Sequence, residues 1–469
     1  MQVINVVAYL LFLAAIGYYA VTTLQWYSYK LERAIFHHTK PWWNLVYFLV
    51  PFVLYAFVSS VSMYGWVVAL GYLPVVFLWY RGLDKPLVWT QRVQLFFGVL
   101  MLAGLMFAFV SPYRAVVIPI LIAHGISVFI EKLRFAGFQR QAQAKIDGME
   151  DLIIIGITAS YGKTSIKNIL AHLLRARYRT YATPRSVNTL AGVVKDINVD
   201  LPEDTQVYVV EMGARGEGDI AEIATFVNPH YAIVGTIGPA HIEYFKTMEN
   251  IRNTKMEILR SDRLKTAWVH SSAQINPTDT VHTYGEDIMD VEATLEGTSF
   301  TLDGVRFTAS ILGAFNAINL TAAVHVAKAL GLSDAAIQQQ LLTLEPTPHR
   351  LQRIDAGGKV ILDDSFNGNI DGMMASFELC ASYPGRKVVI TPGLVEVDDA
   401  LNEQVARRVD DVFDLVVVTG DLNYAIFQRL VDADKLLKLE NKAQMEQMLI
   451  EQTRPGDLIL FANDAPSFV

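Results

Sequence analysis

The chain has 469 residues, a formal net charge of −8 and a single cysteine, Cys380. That length is too great for one ordinary core and predicts two or three domains. The acidic balance, with no basic patch interleaved with aromatics, excludes a general nucleic-acid binder, and the lone cysteine excludes an internal disulfide or a cysteine-rich metal site.

The mean hydropathy of +0.29 is high for a soluble enzyme, and the apolar excess is concentrated in residues 1–130. Ile4–Leu24 is long and apolar enough to cross a bilayer. It lacks a basic leader and a small-residue cleavage site, so it reads as a retained anchor rather than a signal peptide. Four more apolar runs follow at Leu45–Ser62, Trp66–Tyr80, Val93–Val110 and Val116–Ile130. Pro51, Pro74 and Pro119 lie inside runs, which membrane helices tolerate. Lys30, Arg33 and Lys40 fall between runs one and two, Arg81, Lys85 and Arg92 between three and four, and Lys132, Arg134, Arg140 and Lys145 after run five. Five spans with the N-terminus outside place every basic cluster in the cytoplasm. Trp42, Trp43, Trp79 and Trp89 are spaced as interfacial anchors. His124 is the one acidic, basic or histidine residue within a run, so a transport pathway has little support. Residues 131–150, including the polar Phe135–Met149, read as a linker or surface helix.

Asp151–Leu170, DLIIIGITASYGKTSIKNIL, reads as a buried strand over Leu152–Ile157, a tight turn, and a helix from about Lys163. Gly162, Lys163 and Thr164 at that junction suit a phosphate-binding loop: helix N-terminal N–H groups attract anions, a lysine reaches the terminal phosphates, and a hydroxyl ligates Mg²⁺. Ile157 occupies the place of the first glycine in the strict motif. Ser165–Ala176 has helical periodicity, with Ile166, Ile169, Leu170 and Leu173 on one face. Val207–Val210 and Ala232–Val234 read as strands alternating with helices, the pattern of a parallel sheet. Glu211 and His241 lie just past those strands, where such sheets bind ligands, and both suit Mg²⁺. Thr266–Thr308 reads as a small antiparallel insert and Asn316–Leu330 as a helix. From His349 a second α/β unit is predicted, with strands at Val360–Leu362, Lys387–Thr391, Leu415–Thr419 and Asp457–Phe461 and helices at Met373–Cys380 and Lys442–Gln452. The fold class is α/β behind a helical transmembrane region.

From Ile153 to Phe461 the sequence resembles the Mur ligase family, in its D-alanyl-D-alanine-adding branch. The likeness is carried by ITASYGKTS, VVEMGA, GTIGPAHIEYF, IRNTKMEIL, LGAFNAINLTAAV, EPTPHRLQRI and ILDDSFNGN. The resemblance implies a central ATP-binding domain (151–346), a C-terminal domain (347–469), and chemistry in which ATP phosphorylates a carboxylate that an amine then attacks. It implies a nucleotide site of Ser160, Gly162, Lys163, Thr164 and Ser165, with Asn316 and Asn319 toward the adenine and Arg350 and Asp364 from the C-terminal domain. Thr164 and Glu211 are implied for one Mg²⁺ and His241 for a second. Lys255 matches the lysine carbamylated by CO₂, which as an anion also helps to hold metal. Lys163, His241 and Lys255 are the implied catalytic residues, and Asn188 lies on the substrate side.

The implied partners are a UDP-linked muramoyl tripeptide, D-Ala-D-Ala, membrane lipid and other cell-wall enzymes. The implied location is the bacterial inner membrane, with the catalytic domains cytoplasmic. The sequence departs from the family at Ala159 (usually glycine), Phe315 (histidine), Phe366 (tyrosine), Ile370 (proline) and the ANDAPSFV end. Its largest departure is a set of apolar helices in place of the soluble domain that grips UDP. Two other readings stay open: a ligase for a lipid-linked or capsular poly-glutamate acceptor, and a non-catalytic nucleotide-binding scaffold.

Overall fold

The structure is a computed structural model describing residues 2–27, 29–36, 40–62, 64–83, 85–110, 116–184, 187–240, 242–366, 370–395, 397 and 399–463. The chain divides into two compact units, Met1–Gln139 and Arg140–Val469.

The apolar runs fold into helices α1 (Gln2–Trp26), α2 (Val50–Val61), α3 (Gly65–Arg81), α4 (Gln91–Val110) and α5 (Val117–Asp147), all within the first unit except the end of α5 from Arg140 onward, which belongs to the second. Tyr9, Phe12, Ile16 and Tyr19 recur at helical spacing along α1 and are fully buried. Phe12 stacks on Tyr55 at 4.5 Å, and Tyr19 contacts Trp79 at 4.9 Å. The Tyr19 hydroxyl donates to Asn44 Oδ1 at 2.7 Å, giving a buried phenol the partner it needs. The other faces carry large exposed apolar side chains, among them Phe57, Leu78, Leu102 and Phe129. Among the described residues, three helical segments, Val3–Trp26, Trp42–Val61 and Gln91–Ala108, are long and apolar enough to cross a membrane, while Gly65–Arg81 is shorter. The polar Phe135–Met149 stretch forms no separate element up to Asp147, since α5 runs through it unbroken.

The second unit begins with a six-stranded parallel sheet, order β2-β3-β1-β4-β5-β6. Its strands are β1 (Ile153–Thr158), β2 (Thr180–Ala182), β3 (Val207–Glu211), β4 (Tyr231–Val234), β5 (Thr266–His270) and β6 (Val281–Tyr284). Crossover helices α6 (Lys163–Leu174), α7 (Leu190–Val199), α8 (Asp219–Val227) and α9 (Met248–Met256) separate them. The near-continuous apolar character of β1 and β3 fits strands covered on both faces. Register places Ile157 beside Glu211 and Thr158 beside Val234, so three strands end together. The predicted antiparallel insert is smaller than expected. Thr266–His270 and Val281–Tyr284 extend the parallel sheet because TAWVH is buried over four of its five residues. Only β7 (Ile288–Thr294), β8 (Gly297–Leu302) and β9 (Val305–Ala309) form the antiparallel piece. Helices α10 (Phe315–Ala329) and α11 (Asp334–Leu342) complete this half, with α10 packed on α6.

The C-terminal half is a second sheet, order β10-β11-β15-β12-β13-β14. It comprises β10 (Gln352–Ala356), β11 (Lys359–Asp364), β12 (Lys387–Thr391), β13 (Leu415–Thr419), β14 (Leu436–Leu439) and β15 (Leu458–Ala462). All neighbours are parallel except β10 with β11. Helices α12 (Ile370–Ala381), α13 (Asp399–Val412), α14 (Tyr424–Leu430) and α15 (Met445–Gln452) connect its strands.

Candidate active site

The loop Ala159–Gly162 turns the chain from β1 into α6, whose first residue is Lys163. Gly162 has φ +82°, and a Cβ there would lie 2.4 Å from Asn319 Oδ1, so both the conformation and the close approach require glycine. The loop is anchored to the end of β4: Ser160 N donates to Thr236 O at 2.9 Å and Ser160 Oγ to Gly238 O at 2.9 Å. Ala159, which replaces the usual glycine, directs no methyl at solvent and is fully buried. A Cβ at Gly235 would stand 2.9 Å from the Ala159 Cβ, so the glycine on β4's exit makes room for the alanine on β1's exit.

Lys163 folds back over this loop, donating to Ala159 O at 2.7 Å and Ser160 O at 3.2 Å. Burial pushes its pKa down, Glu211 opposes that, and Arg350 adds to it. The ammonium is thus held at the mouth of the loop by two neutral carbonyls, which phosphate oxygens outcompete as acceptors.

Glu211, at the end of β3, is the hub of the site. Its Oε2 accepts from Thr164 Oγ1 at 3.0 Å and pairs with Lys167 Nζ at 3.1 Å, while Oε1 accepts from Asn188 Nδ2 at 3.1 Å. Glu211 N is itself held by Thr183 Oγ1 at 3.1 Å. The carboxylate and the Lys167 ammonium are both 1% exposed. Asn188, expected on the substrate side, is therefore engaged with Glu211. Lys167 belongs to none of the expected sets. Its signal was visible as a lysine in line with Leu170 and Leu174 on the apolar face of α6, all three buried.

Lys255 lies in the last turn of α9 and is 4% exposed. Its pKa is lowered to about 7, chiefly by burial and then by the charge of Lys163, against opposing pulls from Asp219 and Glu257. Glu257 is committed elsewhere, accepting from Gly218 N and Ala221 N at the start of α8. Phe245 lies against Lys255, with the ring centroid 6.0 Å from Nζ.

A shallow depression beside α6 is lined by Ser165, Asn168, Ile311, Asn316, Thr347 and Arg350, among others. Asn316 donates to Leu312 O at 2.7 Å and accepts from Asn319 at 2.9 Å. Of the two asparagines expected near the adenine, Asn316 lines this depression and Asn319 braces Gly162. Asn168 Nδ2 donates to Thr347 Oγ1 at 3.1 Å, tying α6 to the segment between the two halves. Arg350 follows on that segment, bonded to Phe366 O and lying over the Phe366 ring. Its neighbours His349 (φ +62°) and Leu351 (φ +53°) are left-handed, which is rare for a bulky residue such as leucine. Asp364 accepts from Leu351 N at 3.1 Å and from Ser376 Oγ at 2.7 Å, so it fixes the chain next to Arg350. His241 and Asn367–Asn369 lie outside the described residues.

The donor set fits a nucleotide and its cation in a specific way. No group of three or more His, Cys, Asp or Glu side chains able to hold a metal occurs among the described residues. Magnesium commonly takes one or two protein oxygens and completes its shell with phosphates and water. Thr164 Oγ1 and Glu211, 3.0 Å apart beside the loop, match that demand.

Both halves of the second unit have known relatives. Residues 157–327 match the model of the Mur ligase middle domain, and residues 349–463 that of the Mur ligase glutamate ligase domain. The chain is 28% identical over 323 residues to the UDP-N-acetylmuramoyl-tripeptide–D-alanyl-D-alanine ligase of Synechocystis sp., covering 66% of this chain and 71% of the relative. It is also 28% identical over 331 residues to the ligase of that name from Bacillus subtilis, covering 66% and 72%. Among solved structures, MurF from Acinetobacter baumannii superposes with a TM-score of 0.60 at 23% identity, covering 70% of this chain and 77% of that one. The MurF ligase of Thermotoga maritima in complex with ADP gives 0.60 at 24%, covering 70% and 80%.

Proposed function

The chain belongs to the Mur ligase family, and from that premise we propose an ATP-dependent amide ligase that joins D-Ala-D-Ala to a UDP-MurNAc-tripeptide. The observation that carries the proposal is the meeting of Lys163, Thr164, Glu211, Lys255 and Arg350 around the carboxyl ends of β1 and β3. Residues 151–346 supply the cradle, and residues 347–469 bring Arg350 and Asp364 to it.

Each side chain has a task suited to its placement. Lys163 leaves the loop carbonyls for the β- and γ-phosphates of ATP, with Gly162 and the first N–H groups of α6 holding the same oxygens. Arg350 and Ser165 face the nucleotide from the depression beside α6, and Asn316 approaches its base. Thr164 and Glu211 would hold one Mg²⁺ and His241 a second, and such ions would neutralise the charge that gathers on the transferring phosphoryl group. Lys255 has the chemistry for carbamylation: at a pKa of about 7 much of it is neutral amine, and a neutral amine adds to CO₂ to give a carbamate and release a proton. The remaining task is positioning, which supplies most of the catalysis in phosphoryl transfer.

The outward apolar faces of α1–α4 support a location in the membrane with the catalytic unit on the cytoplasmic side. They also favour a second acceptor, one already linked to lipid. The deciding assay offers ATP, Mg²⁺, bicarbonate and D-Ala-D-Ala to the detergent-purified chain, with either UDP-MurNAc-tripeptide or its lipid-linked form. Pentapeptide from the soluble acceptor, reduced at least about 100-fold in Lys163→Ala, is the expected result. Product from the lipid-linked acceptor alone transfers the assignment to that substrate, and no product from either refutes the ligase.

A further inference from the structure

Lys167 stands within the metal side of the site and none of the roles above uses it. It sits one turn beyond Lys163 on α6, and its Nζ lies 3.1 Å from Glu211 Oε2, the oxygen that also accepts from Thr164. The other oxygen is taken by Asn188. Both ends of the pair are 1% exposed, so neither charge is satisfied by water. A carboxylate buried to that degree is costly without a partner, and the lysine offsets that cost. We propose that Lys167 is a positioning residue for the metal site: an internal counterion that holds Glu211 ready while no divalent cation is bound and competes with that cation for the same oxygen.

The proposal rests on the reading of Glu211 as a metal-side ligand. Its physical basis is charge balance. Glu211 and Lys167 together are neutral, so the protein alone offers little to draw Mg²⁺ out of its tightly held hydration shell. The negative charge that recruits the ion then has to come from the nucleotide phosphates, and the metal enters with its nucleotide rather than before it. Asp196 gives the ammonium a second acidic neighbour within electrostatic reach. Its two oxygens are fixed by the hydroxyls of Tyr181 at 2.7 Å and Tyr208 at 2.6 Å. When the cation arrives, Lys167 turns from Glu211 toward Asp196 without leaving the interior uncompensated.

The test uses Mn²⁺ as the probe, titrated by electron paramagnetic resonance into the full-length chain in detergent without nucleotide. Lys167→Met is expected to bind Mn²⁺ tighter than the parent by on the order of tenfold or more, and Lys167→Arg to restore the parent value. In EDTA, Lys167→Met should also unfold at a lower temperature, with Mn²⁺ recovering the difference. Should Lys167→Met not fold in EDTA, Lys167→Gln carries the titration, because it keeps a donor to Glu211 without the charge. An affinity in the Met or Gln variant equal to or weaker than the parent overturns the proposal. Glu211→Gln separates the two levels of inference. If it leaves Mn²⁺ binding intact, the ligand reading of Glu211 fails; if it abolishes binding while Lys167→Met changes nothing, only the counterion proposal fails.

Discussion

Lys255 shows how burial and a neighbouring charge bring an ordinary surface-type amine toward its neutral form. An amine at its usual value near 10.5 is almost wholly protonated at neutral pH, whereas at about 7 it is half neutral. The sign of the linkage follows directly. Between about pH 7 and 10.5 the unfolded chain holds a proton on this residue that the folded chain has released. Stability therefore rises with pH through that window and is flat below it, as far as Lys255 is concerned. With ¹³C-labelled bicarbonate, a carbamate signal should grow as pH rises through about 7 and be missing in Lys255→Arg. A signal independent of pH, or one that survives the substitution, refutes the assignment. Ala159 and Gly235 form a second local case. Gly235→Ala sets a Cβ 2.9 Å from both Ala159 Cβ and Ile166 Cδ1, and overpacking of that kind costs about 1–3 kcal/mol. Denaturant unfolding of Ala159→Gly/Gly235→Ala should recover part of the loss, since the two methyls compete for one space.

At the scale of elements, the last residues of α5, which belong to the second unit, cap another helix of that unit. Lys145 Nζ donates to Ile197 O at 2.8 Å and Leu201 O at 2.6 Å, satisfying carbonyls at and just beyond the C-terminus of α7. Helix α7 opens at Thr189, the residue after Asn188, so this cap steadies the element that carries a Glu211 partner. Hydrogen bonds from a charged donor contribute about 1.5–3 kcal/mol, and Lys145→Met is expected to lose stability in that range, read by urea unfolding of the soluble transition. Elements were also where the sequence was most and least readable. Lys387–Thr391 and Leu415–Thr419 occur as predicted because each is a short apolar run with one periodicity to obey. Thr180–Ala182 carries no such pattern, and its three half-buried residues become a strand only by pairing with β3. Thr266–His270 has strand character that sequence alone cannot direct to a parallel or an antiparallel neighbour. The loop residues Gly162, Lys163 and Thr164 were legible because their roles are local. Lys167 was legible only as a lysine on an apolar helix face, and Asn168 and Thr347 not at all, because their meaning lies in their contact with each other, 179 positions apart.

Across the whole molecule, two kinds of surface share one chain. The first unit turns Phe57, Leu78, Leu102 and Phe129 outward, a pattern that marks contact with lipid or protein. The second buries its apolar residues inside two sheets and keeps its ion pairs largely at the rim. The expected consequence is retention in the membrane pellet after alkaline carbonate extraction, with release only by detergent. Release by carbonate overturns the membrane location while leaving the ligase assignment untouched. Among the described residues, the five runs read from the sequence yield three segments that meet the length and composition of a span. Short runs such as Gly65–Arg81 depend on packing against neighbours for their place in a bilayer, and that packing is not written in hydropathy.

Cys380 lies fully buried on α12 beneath the second sheet, where burial raises its thiol well above the usual range. Because it is the sole cysteine of the chain, the folded protein is chemically silent toward maleimides and other thiol reagents. A thiol engineered anywhere on its surface will therefore report alone. Spin or fluorescent labels can then be set on the two ATP-site halves, one per variant or as a single pair, with the native background left in place.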